Sequence, residues 1–424
     1  MTDTFYKKAQ LLDQNDKLAH FKDYFVHEAD TIYLDGNSLG KLPQKTIQQT
    51  QHLVTHQWGQ GLIRSWNNHW IDLPQQTAAK IAKIVGAQED EIFVGDSTSL
   101  NLYKLAFAAL KLNEPKKKIV SDNLNFPTDL YILQGLIEQQ FQGHSLALVE
   151  SQDNLTIEEA GFAEVIDNDT SLVLLSHVVF KSAFMYNMAR INAIAHQHQA
   201  LVLWDLSHSV GSVPVHLNDT NADMAVGCTY KYLNGGPGAP AFLYVRKDLQ
   251  AQLTSPIWAW FGHQAPFDFS LHYQPKQGIQ RFATGTPSVL SLSAIGGGVD
   301  ITLEAGMEAL REKSVQQSEF MIELIQNLLV PYGFSIASPL DVSRRGSHIS
   351  IRHPEGYRIS QAMIKPQDGS KIIIPDFRPP DNIRLGIAPL YNTYTELVES
   401  IERIRKIVAE EQFSHYSEER PDVT

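Results

Sequence analysis

A repeated alternation of short apolar runs with helical periods constrains the fold of this chain more than any other feature. The run SLVLLSHV (171–178) is followed by the helical pattern RINAIAHQHQ (190–199) and then by a second apolar run, ALVLWD (200–205). A strand, a crossover helix and a second strand form a parallel unit, and parallel strands are buried on both faces. The pattern therefore predicts an α/β fold built on a mainly parallel sheet.

The same pattern extends on both sides of that unit. It begins near residue 91 with EIFVG, NLYKLAFAALK and KKIVSD, and it continues with two more predicted strands, ADMAVGCTY and PAFLYVRK. After residue 301 it changes to a long helical period, EALREKSVQQSEFMIELIQNLL, followed by the short strands SHISIRH and NIRLGIAP. We therefore predict a large α/β domain over residues 61–305 and a smaller α+β domain over residues 306–424, with residues 1–60 associated with the smaller one.

The last predicted helix has a recognisable start. Thr393 and Glu396 have the spacing of a capping box, in which each side chain accepts a hydrogen bond from the other residue's backbone. The apolar residues that follow fall on one helical face. They are Leu397, Ile401, Ile404 and Val408.

Composition excludes several classes of function. Hydrophobic residues make up 43% of the 424 residues, but no apolar run is long enough to cross a bilayer, so no membrane role is expected. The formal net charge of −12 argues against nucleic-acid binding, which needs a basic surface. The start MTDTFYKKAQ lacks a signal-peptide core, and the single cysteine cannot form an internal disulfide. We therefore expect a cytoplasmic protein.

A carboxylate and a lysine follow neighbouring predicted strands. Asp205 ends ALVLWD, and Lys231 follows the next strand, between two tyrosines in GCTYKYLNGGPG. Both side chains can reach one crevice, because ligands bind where parallel strands end. The pair suits pyridoxal phosphate: the lysine forms a Schiff base, and the carboxylate keeps the ring nitrogen protonated. Taken singly, Asp205 could cap a helix, Lys231 could be a solvated strand end and His208 could be a packed histidine.

Two further segments could hold such a cofactor. Ser97, Thr98 and Ser99 stand directly before a helical run, where hydroxyls and backbone N–H groups bind phosphate, although they could equally only cap the helix. In NFPTDLY, Phe126 adjoins a proline turn and Asp129 lies just beyond it. An aromatic side chain there could stack on a planar ring or simply belong to the core.

Together these segments resemble one enzyme family. The strings YLDGNSLG, STSLNLYK, NFPTD, WDLSHSVGSVPV, YKYLNGGPGAP, WFGH, GTPS and IRLGIAPLYN follow the order seen in kynureninases, across nearly the whole chain. The resemblance implies the fold type I architecture of pyridoxal phosphate enzymes and a homodimer. It also implies hydrolysis of L-kynurenine to anthranilate and L-alanine, in the kynurenine pathway of tryptophan catabolism.

The resemblance assigns roles to particular residues. Lys231 would bind the cofactor covalently, Asp205 would pair with its ring nitrogen, Phe126 would stack on the ring and Tyr230 would be the candidate base toward water. Arg384 would hold the substrate carboxylate, whereas without the resemblance it would be interpreted as an ordinary surface ion pair. Trp66 and Gly285 would favour L-kynurenine over its 3-hydroxy form. No metal site is expected. The other implied cofactor contacts are Thr98, Ser99, Asp129, Ser176, His208, Tyr230, Trp260 and Thr286.

Two alternatives remain open from the sequence. A cysteine desulfurase shares this fold class but needs a mobile cysteine, whereas Cys228 lies on the strand that leads to Lys231 and is predicted to be buried and apolar. A catalytically silent sensor would carry a DNA-binding or partner domain. No basic helix-turn-helix segment is found to support it.

Overall fold

Short apolar runs form the strands of the chain, and amphipathic runs form its helices. The structure, a computed structural model, describes residues 2–419, so residue 1 and residues 420–424 of the predicted outer segments lie outside the described residues. The described strands are β1 (Thr31–Tyr33), β2 (Ile92–Val94), β3 (Lys118–Asp122), β4 (Ser145–Val149), β5 (Thr170–Ser176), β6 (Leu201–Asp205), β7 (Met224–Gly227), β8 (Phe242–Val245), β9 (Ser335–Ile336), β10 (Ile349–Arg352), β11 (Ile372–Ile374), β12 (Asp376–Arg378) and β13 (Asn382–Leu385). The described α-helices are α1 (Thr2–Gln14), α2 (Gln44–His52), α3 (Leu73–Val85), α4 (Thr98–Leu112), α5 (Pro127–Gln139), α6 (Glu159–Val165), α7 (Met188–Gln197), α8 (Val289–Ala305), α9 (Met307–Leu328), α10 (Gly356–Ile364) and α11 (Tyr394–Ala409).

A seven-stranded sheet forms the centre of the larger unit, in the order β2-β8-β7-β6-β5-β3-β4. Strand β8 runs antiparallel to both of its neighbours, and the other pairs are parallel. Every residue of β5 is buried, because Leu172 and Leu174 face the core under α4 and α5 while Val173 and Leu175 face the core under α3, α7 and α8. The predicted α/β class, with a mainly parallel sheet covered on both faces, is confirmed.

The second unit combines helices with a small antiparallel sheet. Its strand order is β12-β13-β10-β9, and α9, α10 and α11 pack around a separate hydrophobic core. The start of the chain joins this unit, since α1 contributes Phe5 and Ala9 to the same core and β1 pairs in parallel with β11. At α2 the chain crosses to the larger unit, where the Thr46 hydroxyl donates to the Ala294 carbonyl of α8. The exact division at residues 60 and 305 stays a prediction.

Among residues 2–419, no helix combines the length and apolar character needed to cross a bilayer. The edge of the main sheet that matters for function is the one where β5, β6 and β7 end. Strand β2 runs in the same direction as these three, so α4, which follows it, begins at that edge as well.

Candidate active site

The ends of β5 and β6 place two polar side chains next to each other. Ser176 pairs in register with Asp205, and both are buried. One Asp205 oxygen accepts hydrogen bonds from the backbone N–H and the hydroxyl of Ser207, at 2.8 and 2.6 Å. Burial raises the pKa of Asp205, while Ser207 and the positive charge of Lys231 oppose that rise. A cationic partner would therefore stabilise this carboxylate in its ionised form.

Lys231 lies at the same sheet edge, just beyond β7. Its Nζ is 3.0 Å from Nε2 of His208 and 6.0 Å from the centre of the Tyr230 ring. Burial, and then the charges of Lys231 and Arg384, hold the pKa of His208 well below its usual range, so the imidazole is neutral. The neutral ring can accept a hydrogen bond from the lysine ammonium, which orients Nζ. The sheet thus brings the half-buried Lys231 together with the buried Asp205 and His208.

A second carboxylate lies close enough to interact electrostatically with Asp205 and Lys231. Asp129, in the first turn of α5, is only 3% exposed, and its Oδ2 has no hydrogen-bond partner within residues 2–419. Burial and then the charge of Asp205 raise its pKa well above the usual range, and Lys231 opposes the rise. An unpaired buried carboxylate oxygen is costly unless a ligand supplies the donor.

Among residues 2–419, no group of three or more histidine, cysteine, aspartate or glutamate side chains is arranged to hold a metal ion.

Phe126 provides an aromatic surface beside this group. It precedes α5, is 38% exposed, and meets Phe180 edge-to-face with ring centres 5.3 Å apart. Next to it, Asn125 accepts a hydrogen bond from the Ser176 hydroxyl at 2.7 Å. The contact through Asn125 joins the start of α5 to the end of β5, so Phe126 is held at the edge where Lys231 lies.

The start of α4 supplies hydrogen-bond donors at this edge. Ser97 is the N-cap residue, and its hydroxyl accepts from the N–H of Leu100 at 3.3 Å. Thr98 and Ser99 are therefore not the capping residues, and as the first two helical residues they have no intrahelical acceptor for their N–H groups. Their backbone donors and hydroxyls remain available to an anion, as at other helix N-termini.

Arg384 is not a surface residue. The alternative interpretation of Arg384 as part of an ordinary surface ion pair is therefore wrong. The Arg384 side chain is 1% exposed, because β13 is an inner strand of the small sheet, between β10 and β12. Nε donates to Asp376 at 2.6 Å, Nη1 to the Phe180 carbonyl at 2.7 Å and Nη2 to the Ser38 hydroxyl at 3.1 Å. The Asn37 amide oxygen, once turned toward the guanidinium, lies 3.3 Å from Nε and from Nη2. The arginine thus joins the N-terminal segment, the larger unit and the smaller unit.

Four predicted residues lie in a different group. Trp66 lies 6.3 Å from Phe261, ring centre to ring centre, and Trp260 lies 4.9 Å from the same ring. Gly285 and Thr286 line a nearby cavity of 520 Å³. Within residues 2–419, no hydrogen bond, ion pair or ring contact joins these four residues to Lys231 or Asp205. These four residues therefore lie around Phe261 and that cavity, which also borders Asp96 just before the start of α4.

Sequence reasoning missed several residues around Arg384. Asp376 lies directly opposite Arg384 in the β12–β13 pair, so a predicted hairpin through PPDN could have indicated it. Ser38 belongs to YLDGNSLG, a string that supported the family resemblance but was given no role. Phe180 follows β5 without any local signal, because its importance comes from contacts with Arg384 and Phe126.

Comparison with known proteins gives consistent matches along the chain. A family model described as the kynureninase C-terminal domain matches residues 310–404. A kynureninase of Pseudomonas fluorescens is 40% identical over 402 residues, covering 94% of this chain and 94% of that protein. A kynureninase of Burkholderia mallei (strain SAVP1) is 38% identical over 407 residues, covering 95% of each.

Solved structures share the architecture at lower identity. An apo cysteine desulfurase from Thermococcus onnurineus NA1 has a TM-score of 0.76 and 17% identity, over 95% of this chain and 98% of that chain. The cystine C-S lyase C-DES, with glycine covalently linked to its PLP cofactor, has a TM-score of 0.78 and 18% identity, over 91% of this chain and 98% of that chain. These likenesses show the fold alone, and they confirm the fold class predicted from the sequence.

Proposed function

Since the chain belongs to the kynureninase family, we propose that it binds pyridoxal 5′-phosphate at Lys231 and hydrolyses L-kynurenine to anthranilate and L-alanine. The observation that carries this proposal is the half-buried Lys231 beside the buried Asp205, His208 and Asp129, at the edge of a parallel sheet. Two buried carboxylates close to each other are energetically costly unless a ligand completes their charges and hydrogen bonds.

The residues present fit this cofactor. The unpaired Asp129 oxygen can accept from a polar group of the ring, and Asp205 can pair with a protonated ring nitrogen. The start of α4 offers donors to a phosphate, and the half-exposed Phe126 offers a surface for stacking. When bound, the cofactor supplies an electron sink for the negative charge left by bond cleavage.

Lys231 carries the proton transfers at the substrate. Its Nζ, when free, would remove the α-proton of the substrate, and neutral His208 at 3.0 Å would orient Nζ by accepting a hydrogen bond from it. Asp205 would pair in its ionised form with the protonated ring nitrogen, and its two hydrogen bonds from Ser207 fix its orientation. Each residue thus holds or moves one proton at a defined atom.

The raised pKa of Tyr230 favours a proton donor over the predicted base toward water. Burial raises the pKa of its hydroxyl above the usual value, so the group is protonated at neutral pH. We therefore assign it proton donation beside Lys231. A base role would require a nearby cation to lower that pKa.

Arg384 binds the substrate carboxylate by exchanging partners. Asp376 and the Phe180 carbonyl hold it through its shortest contacts, at 2.6 and 2.7 Å. The longer contacts, to Ser38 at 3.1 Å and to Asn37 at 3.3 Å, are the ones that a carboxylate can replace. The carboxylate would then be held between the smaller unit and the N-terminal segment.

The separate group of Trp66, Trp260, Gly285 and Thr286 supports a homodimer. One segment of the larger unit exposes five large apolar side chains, and a patch of this kind marks an interaction surface. The exposed fractions are 66% for Trp258, 42% for Trp260, 60% for Phe267, 73% for Phe269 and 97% for Leu271. We propose that a second copy covers this patch and that Trp260 and Thr286 complete the cofactor site of the partner.

The single buried cysteine fits a reducing compartment, so we also propose a cytoplasmic location.

The activity is tested by incubating purified protein with L-kynurenine and measuring anthranilate fluorescence, with Lys231→Ala as the control. Borohydride should trap the cofactor on Lys231 of the wild type. Absence of either signal would overturn the proposal. A parallel assay with L-cysteine should release no sulfur, since Cys228 is buried, its Sγ faces the Ser207 carbonyl at 3.7 Å and burial raises its pKa.

The shared site is tested by mixing two inactive variants, Lys231→Ala and Trp260→Ala. If the partner supplies Trp260, mixed dimers contain one intact site and activity returns after subunit exchange. A monomer in sedimentation analysis, or no recovery in mixed dimers shown to form, would contradict the shared site.

A further inference from the structure

A buried lysine lies behind the start of α4 and takes no part in the chemistry described above. Lys104, on the inner face of that helix, is 0% exposed. Its Nζ donates to Asp96 Oδ2 at 2.8 Å and to the Phe282 carbonyl at 2.8 Å, and it lies 5.1 Å from the centre of the Phe93 ring. A fully buried lysine is rare unless it is paired, so this arrangement needs a reason.

Asp96 connects this lysine to the proposed phosphate site. It directly precedes the N-cap Ser97 and has a left-handed backbone, with φ of +56°, which a non-glycine residue adopts only when its surroundings hold it there. Its backbone carbonyl accepts from the N–H of Ala241 at 2.8 Å. Its other side-chain oxygen accepts from the Thr284 hydroxyl at 2.8 Å. Asp96 therefore fixes both the path into α4 and the loop that carries Gly285 and Thr286.

The charge of Asp96 poses an electrostatic problem. A phosphate bound by Thr98 and Ser99 would lie within a few residues of this carboxylate, and two anions close together in a partly buried site repel each other. The helix dipole favours an anion at this position, but a carboxylate behind the helix start works against it. A cation that pairs with Asp96 reduces this repulsion.

We propose that Lys104 is a positioning residue for the phosphate end of the cofactor: it neutralises Asp96 and thereby lets the start of α4 bind a phosphate dianion. The inference rests on the proposed cofactor. Lys104 itself is too deeply buried to contact the phosphate, so its effect is exerted through Asp96. The inference predicts that Lys104 matters for a ligand that carries the phosphate and not for the same ligand without it.

The test compares pyridoxal phosphate with pyridoxal, which lacks the phosphate. Full-length protein, freed of cofactor with a carbonyl reagent, is titrated with each aldehyde and covalent attachment is followed by absorbance. For Lys104→Met we expect the dissociation constant for pyridoxal phosphate to rise by about tenfold or more, and that for pyridoxal to stay unchanged. Lys111→Met is the matched control, because Lys111 lies on the same helix in an exposed pair with Glu114 and should change neither value.

Two further variants separate charge from packing. Adding Asp96→Asn to Lys104→Met removes the uncompensated carboxylate and should restore most of the affinity for pyridoxal phosphate. Asp96→Asn alone removes the negative charge and should keep or strengthen the preference for the phosphorylated aldehyde, and it remains informative if Lys104→Met does not fold.

The outcomes are distinct. Equal weakening of both aldehydes in Lys104→Met, unchanged affinity for pyridoxal phosphate, or loss of the preference in Asp96→Asn would overturn the inference while the proposed function stands. A wild type that attaches neither aldehyde at Lys231 would refute the proposed function, and this inference with it.

Discussion

Replacing Arg384 by lysine tests the substrate-carboxylate assignment while keeping the buried positive charge. Alanine is the poorer choice, because Asp376 is 4% exposed and would keep only Arg378, whose Nε lies 2.9 Å away. Breaking a buried ion pair in this way costs about 3–5 kcal/mol of stability, and a folding defect would mask the effect on catalysis. Lysine retains the charge for Asp376 but has a single ammonium group.

The size of the effect follows from the contacts of Arg384. Losing one partner of a buried charge pair costs about 2–5 kcal/mol. The lower part of this range applies, because the substrate carboxylate only replaces contacts of 3.1 and 3.3 Å to Ser38 and Asn37, which re-form when it is absent. We therefore expect a loss of about 2–3 kcal/mol in Arg384→Lys, or roughly 30- to 150-fold in kcat/KM.

The assay is steady-state production of anthranilate from L-kynurenine, together with titration of the cofactor. Attachment at Lys231 should be largely retained, since lysine keeps the positive charge and the arginine donates to none of Lys231, Asp205, His208 and Asp129; the lost contact to the Phe180 carbonyl, which lies beside Phe126, should weaken it only slightly. An analogue of the substrate without the α-carboxylate should be processed equally by wild type and variant. The control is Arg378→Lys, because Arg378 also pairs with Asp376 but its side chain is 36% exposed. This substitution should change kcat/KM little. Near-normal efficiency in Arg384→Lys, or an equal loss on the analogue, would refute the assignment.

Three other predictions address specificity, pH and the cofactor ring. The wild type should prefer L-kynurenine over its 3-hydroxy form, and comparable efficiency on both substrates would contradict this. Trp66→Phe should raise the relative kcat/KM for the 3-hydroxy form by about tenfold, because a smaller ring leaves space for the hydroxyl. Burial and the charge of Asp376 raise the pKa of Asp35 to about 6. The folded state therefore holds that proton more tightly than the unfolded chain. Relative to Asp35→Asn, the free energy of unfolding should fall by about 1–3 kcal/mol as the pH rises from 4 to 6, which chemical denaturation measures. Parallel pH profiles of the wild type and Asp35→Asn would contradict this prediction. Asp205→Asn should retain cofactor attachment but lower kcat by about 100-fold or more, and an unchanged kcat would show that the ring nitrogen is held elsewhere.

The sequence predicted elements whose causes are local. The capping box of Thr393 and Glu396 is present at the start of α11. Leu397, Ile401 and Ile404 of that helix are fully buried, and Val408 is partly buried against the same core. The two neighbouring strands that lead to Asp205 and Lys231 were also predicted from their apolar runs, and because they are parallel they end at a common edge of the sheet. These features needed only periodicity and topology.

Contacts between distant segments could not be predicted in that way. Ser38 and Arg384 are 346 residues apart, and Lys104 and the Phe282 carbonyl are 178 apart, so no spacing rule indicates either contact. The same limit explains why Arg384 resembled a surface residue: a charged residue in a short strand usually faces solvent, and only the packing of β13 between β10 and β12 buries it.

Phe180 shows why the geometry of this site depends on how the two units pack together. Its carbonyl accepts from Arg384 at 2.7 Å, and its ring meets Phe126 edge-to-face at 5.3 Å. The arginine comes from the smaller unit and the phenylalanines from the larger one, so one residue ties the proposed carboxylate site to the proposed stacking surface. Because a short charge-assisted hydrogen bond and an aromatic contact are both directional, Arg384 cannot shift far without disturbing Phe180 and, through it, the position of Phe126. Residues that each look ordinary in the sequence therefore act as one structural unit across the boundary.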